Sequence, residues 1–171
     1  MKRKLDFVTN SSSSSFIVAW PERVSLYEQV KDIVLFTEKA DIVYKDCMNQ
    51  KPFLIANTAS CINKITKKVV SGYFDGYCSC SDFPEYRELY ERRCRKDITE
   101  TTYRKEMDKL FKKVEKENRK RAKMIAERFI KNNLGKYAYI FHYSDNDSRL
   151  FSELVHGSTF DRLDNITISH H

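Results

Sequence analysis

The chain is defined first by what is missing from it. No apolar run approaches the ~18 residues a membrane-spanning helix needs, so no membrane association is expected. The start, MKRKLDFV, is basic but has no apolar stretch behind it and does not read as a secretory signal. No segment repeats, which excludes a solenoid array. No histidine occurs in the first 141 residues. Cysteine is sparse and odd in number, at 47, 61, 78, 80 and 94, which points to reduced thiols in a cytoplasmic setting. Cys78-Ser79-Cys80 has one intervening residue, not the two of a zinc knuckle, and Cys94 would have to supply a third ligand.

Enough apolar sequence is present for a real core: 41% of 171 residues. That excludes a disordered tail and a disulfide-held mini-protein, and a single domain over 1–171 is expected. Positive charge is also present, unevenly placed. The net charge is +7, yet Tyr86 to Lys136 alone holds 18 Lys+Arg against 9 Asp+Glu, leaving the remainder at −2. The excess belongs to one segment, not to the whole surface.

Leu5–Val8 and Phe16–Trp20 are apolar runs flanking Thr9, Asn10 and five serines, which reads as strand, serine-rich loop, strand. Ser25 to Glu28 is a capping-box pattern opening a helix near 26–36. Ala40–Tyr44 reads as a short strand. Asn57 or Thr58 can cap a helix running to about Ser71, with Gly72 suited to C′. Asp82 and Glu85 around Pro84 open a helix to about Cys94. Thr99 caps the longest helix, about 100–134, closed by Gly135. Its apolar stripe breaks over 115–121, which is polar all round, as on a helix that leaves the body or bridges to something.

Tyr137–Tyr143 alternates as a strand, 145–147 is a turn, about 148–155 a short helix, and 165–170 a last strand. The expectation is an α+β fold. Strands from both ends form a small mixed sheet with packed helices, and a helical excursion at about 84–135 carries a long projecting charged helix at about 100–134.

Three groups of residues carry candidate chemistry. All four histidines, 142, 156, 170 and 171, fall in the last thirty residues, among several acids. The period of two puts His142 on a face with Ala138 and Ile140, and His170 with Ile166 and Ile168. If these two strands pair, His142 and one of the C-terminal histidines approach each other. His156, His170 and Asp145 would then serve as acid and base, and His142, His156, His170 and Asp147 could ligate a divalent metal. The plainer readings are a satisfied core histidine and an ordinary Asp-Asn-Asp turn. The EF-hand is excluded, because no Gly and no Glu fall at the required offsets.

Asn10, Ser11, Ser12, Ser13, Ser14 and Ser15 offer hydroxyls and backbone N–H groups to an anion. The run has no Gly or Lys, so it is not a P-loop, and no G-x-S-x-G accompanies it. A flexible linker is the alternative, against which stand the apolar flanks. Finally, Lys112, Lys113, Lys116, Arg119, Lys120 and Lys123 could track nucleic-acid phosphates. Glu106–Lys109, Asp108–Lys112 and Glu115–Arg119 fall at the spacing of ion pairs on an ordinary solvated helix.

The opening Asp6-Phe7-Val8-Thr9-Asn10, Ser11 to Ser15 and Phe16-Ile17-Val18 resembles a recurring start in small bacterial and phage-borne proteins. Their ends are similar to Tyr137-Ala138-Tyr139, Tyr143 to Asp147, His156-Gly157-Ser158-Thr159-Phe160 and Ile166 to His170. The resemblance covers both ends, about a third of the chain, and implies no mechanism. It implies that His170-His171 is native rather than a tag remnant, and that the serine run and C-terminal segment form one module. Asp164 stands where the similar proteins carry a Pro.

Taken together, the sequence predicts a cytoplasmic protein that binds a phosphate ligand or nucleic acid at a serine-loop and His/Asp site, a site that could also support metal-dependent hydrolysis. The alternative is a non-catalytic module that meets a protein partner, or its own copy, through the long charged helix.

Overall fold

The computed structural model describes residues 13–34, 37–144, 154 and 159–170. The elements in chain order are β1 (Ser13–Trp20), α1 (Tyr27–Lys31), α2 (Thr37–Asn49), β2 (Phe53–Leu54), α3 (Ala59–Val69), β3 (Tyr73–Phe74), α4 (Pro84–Cys94), α5 (Glu100–Asn132), β4 (Tyr137–Ser144) and β5 (Asn165–His170). The strands form one sheet in the order β2-β4-β1-β5-β3, and all four pairings are antiparallel, where a mixed sheet was expected. The expected helix at about 148–155 lies outside the described residues except for Leu154, which is buried. Leu5–Val8 also lies outside them.

β1 is the centre of the sheet because it is apolar on both faces. Phe16, Val18 and Trp20 pack with Tyr139, Phe141 and Tyr143 against Val30, Val34, Ala40 and Val43 of the α1–α2 region. Ile17 and Ala19 face the other way, with Ala138, Ile166 and Ile168, onto α3 and the C-terminal half of α5 through Ile65, Val69, Ala122 and Ala126. This sheet with helices on both faces is the α+β architecture the sequence predicts. Among the described residues no helix is long and apolar enough to cross a membrane.

The caps decide where the helices start. Thr58 accepts from the Cys61 N–H at 3.2 Å, and Thr99 from the Thr102 N–H at 3.2 Å, both as expected. Ser25 is not the cap of α1: the Gln29 side chain accepts from both the Ser25 and Leu26 N–H, moving the start on by one residue. Asp82 does not open α4 either. Its carboxylate accepts from the Ser79 N–H at 2.7 Å, closing a short 3₁₀ turn at Cys80–Asp82, and Pro84 itself begins the helix. The strand expected at Ala40–Tyr44 is part of α2, whose buried positions Ala40, Val43 and Cys47 keep helical spacing.

α5 spans 33 residues, about 50 Å, roughly twice the length of the longest strand. Its first half lies beyond the sheet and packs on α4 through Leu89, Met107, Leu110 and Val114, with Cys78 beneath. The stretch 115–121 is not bare. Asn118 is 5% exposed, because the segment before the 3₁₀ turn covers it. Its amide oxygen accepts from the Cys78 N–H at 2.8 Å and from Cys78 Sγ at 3.1 Å, and its nitrogen donates to the Cys78 carbonyl at 2.8 Å. Arg121 donates to the Gly76 carbonyl at 2.8 Å beside it.

Candidate functional site

Strand pairing converts the sequence pattern into a site. On the α3/α5 face of the sheet, side chains line up in rows across β4, β1 and β5. Ala138 pairs with Ala19, and Ile140, Ile17 and Ile166 form the next row. The row beyond is His142, Ser15 and Ile168, and the last is Ser144, Ser13 and His170. The apolar face thus ends in two polar rows, at the edge where β1 begins.

His142 and His170 meet across β1, because β4 and β5 flank that strand and do not pair with each other. Ser15 Oγ lies 3.0 Å from His142 Nδ1 and 3.0 Å from His170 Nε2. The two rings stand edge to face with centroids 5.5 Å apart. The outer backbone edge of β4 explains the fit at His142: the Ile140 N–H points away from β1 and donates to Gln50 Oε1 at 2.9 Å. By alternation the His142 backbone also points outward, so His142 and Ser15 face each other as a non-hydrogen-bonded pair, the closer kind for side chains.

Burial separates the roles. Ser15 is 0% exposed, His142 is exposed and His170 half-buried. The Ser15 hydroxyl is sealed from solvent between the two imidazoles, and of the three side chains His142 is the most open to the outside. The serine has one proton to give. When it donates to His142 Nδ1, neutral His142 carries its hydrogen on the outer Nε2. When it donates to His170 instead, it accepts from His142 Nδ1–H, and neutral His142 turns a lone pair outward. The direction of one buried O–H therefore sets whether His142 acts as donor or acceptor.

His170 is held by Gly72. A Cβ there would sit 2.5 Å from the Ser169 carbonyl oxygen and 2.7 Å from His170 Nδ1. α3 ends with Val70 as its C-cap, so Gly72 is not the helix-closing residue its position suggested; it is the gap that admits the imidazole. Sequence reading missed this, because a glycine required for close approach looks the same as one required by a turn.

The other predicted residues fall as follows. Ser13 and Ser15 belong to β1 and not to a loop, because their backbone is paired on both sides. Ser14 is in the strand too, buried on the opposite sheet face, and cannot share a site with the histidines. Asn10, Ser11, Ser12, Asp145, Asp147, His156 and His171 lie outside the described residues. Among the described residues, no group of three or more His, Cys, Asp or Glu is arranged to hold a metal ion. The cysteines are free thiols.

On the far face, behind His142, burial raises the Tyr143 hydroxyl pKa well above its ordinary value, and Asp46 adds to the effect. Burial also raises Asp46, against the hydrogen bond from Tyr143, and pushes the Cys47 thiol up to about 12, so that thiol is inert.

On α5, Lys113 is ion-paired with Glu85 and lies over the Phe83 ring, and Lys123 sits 3.7 Å from Glu127. Lys112, Lys116, Arg119 and Lys120 are exposed. The ion pairs expected at Glu106–Lys109, Asp108–Lys112 and Glu115–Arg119 do not form; Glu106 pairs with Arg92 of α4 at 3.4 Å.

These features define an α+β protein whose antiparallel sheet is covered by helices on both faces and ends in a histidine–serine cluster. The chain matches no protein-family model, no curated protein and no solved structure.

Proposed function

We propose that the polar end of the sheet binds a phosphate-bearing ligand, with His142 as the contact residue and Ser15 and His170 as its proton partners. The observation that carries this reading is the bridge of Ser15 Oγ to both imidazoles at 3.0 Å. A buried hydroxyl between two imidazoles keeps a shared proton at a solvent-facing ring, and one added proton gives the cluster a positive charge. Ser13 and Ser144 place two more hydroxyls in the adjacent row. A phosphate oxygen accepts from such donors, and charge-assisted bonds to it are the strong ones. With a lone pair outward, the same ring can take a proton from water attacking a phosphoester, and the cluster would then act as an acid–base catalyst.

The test is a titration with inorganic phosphate, followed by the side-chain nitrogen resonances of His142 and His170. Both rings should shift together as phosphate is added. His142→Ala should abolish binding. Ser15→Ala should leave one ring responding without the other. Phosphate that shifts neither ring would falsify the reading.

A further inference from the structure

We infer that the outward face of α5 is a docking surface for the phosphate backbone of double-stranded nucleic acid. The inference stands on different residues from the histidine site and does not depend on it.

The buried side of α5 runs through Met107, Leu110, Val114, Asn118, Ala122 and Ala126. Opposite it lie Lys105, Lys109, Lys112, Lys116, Lys120 and Lys123, three or four residues apart throughout and all exposed. At 1.5 Å per residue this row covers about 27 Å, with an ammonium roughly every 5 Å. A duplex strand carries one charge per about 3.4 Å of axis, so the two linear arrays are of similar density.

Asp108 and Glu115 are exposed beside Lys105 and Lys112 but form no ion pair with the row, and the other acids of the helix, Glu127 apart, are paired elsewhere. Glu100 pairs with Arg93 and Arg104, Glu106 with Arg92, and Glu117 with Arg121, all on the flanks of the helix. Within the row only Lys123 has an acid partner, Glu127. Among the described residues no ion pair joins Lys105, Lys109, Lys112, Lys116 or Lys120 to a carboxylate. Like charges at helical neighbour spacing destabilise a helix, and a partner of opposite charge offsets that cost.

The chemistry of the face selects the partner. Single strands are held by stacking on aromatic rings interleaved with positive charge, and the row contains no aromatic residue. An anionic membrane takes a helix whose apolar side enters the lipid, but the apolar side of α5 is occupied by α4, α3 and the sheet. A row of ammonium groups laid along the backbone meets phosphates as point charges, and phosphate contacts carry no sequence information, so binding is expected to be indifferent to sequence.

The test is fluorescence anisotropy of the full chain with a labelled duplex of arbitrary sequence, in DNA and RNA arms, across a salt series. Expected are micromolar affinity at about 50 mM salt and a slope of log K against log salt of roughly −4 to −5, for about five phosphates neutralised. The variant with Lys109, Lys112, Lys116 and Lys120 all changed to Gln should flatten that slope by about 3 to 4. Gln is as good a helix former as Lys, so the fold survives. The same four positions changed to Arg should keep the slope. The inference is overturned if the wild-type chain binds neither duplex, if the Gln variant binds like wild type, or if phosphatidylserine vesicles are bound more tightly than duplex.

Discussion

Gly72 is where a single atom has the largest consequence. A methyl group there would overlap the Ser169 carbonyl and the His170 ring. The carbonyl is fixed by the sheet, since Ser169 pairs with both Tyr73 and Ser14, so the backbone at residue 72 must shift away and the ring must give way as well. Gly72→Ala is expected to cost about 1–3 kcal/mol, the usual range for overpacking, and to separate His170 from Ser15. Chemical denaturation gives the first effect. Loss of the paired imidazole resonances gives the second; an unperturbed His170 in this variant would show that the close approach is not what holds the ring. Ser15 illustrates the same sensitivity. It sits in a strand core that tolerates a hydroxyl only because two imidazoles satisfy it.

α5 depends on Asn118 to keep its middle attached. The buried stripe keeps one side of the helix but changes partner there, from α4 over Met107–Val114 to α3 and the sheet over Ala122–Ile130, and a polar residue occupies the changeover. Asn118 is tolerated because it satisfies the Cys78 N–H and carbonyl together, both cut off from water. Asn118→Ala would leave both without a partner, and a loss of about 2–3 kcal/mol is expected. A denaturant midpoint unchanged from wild type would mean that water replaces the amide. Asn118→Asp should also destabilise, since a carboxylate cannot donate to the Cys78 carbonyl.

The two halves of the molecule differ in how much they bury. Apolar clusters line both faces of the sheet, with β1 between them, whereas the outer part of the α4–α5 hairpin rests on five buried side chains. Its ion pairs, such as Arg87–Glu91 and Arg104–Glu100, are exposed and contribute little. Amide exchange should therefore be slowest in β1 and faster by several orders of magnitude over 84–112, measured on the native protein by mass spectrometry. Uniform protection across both parts would contradict this.

β1 from Phe16 on, β4, β5, the three later helices and the charged segment were legible in the sequence, because periodicity and the Thr caps act locally; the two-residue edge strands Phe53–Leu54 and Tyr73–Phe74 were not, being too short to carry a pattern. Alternation also assigned His142 and His170 their strand faces, but the direct pairing of their strands that would have joined them does not occur. The order of the strands was not legible. That β1 would lie between β4 and β5, making Ser15 the bridge and burying Ser14 on the wrong side, depends on packing both faces of one apolar strand. α2 misled for a related reason: five apolar-rich residues do not distinguish strand from helix until the elements they bury against are known. By itself the sequence determined element types and the face each side chain uses, because these follow from bonds within a few residues. Tertiary structure alone decided which faces touch, and with that the site, because contacts between distant segments follow from how their surfaces fill space together.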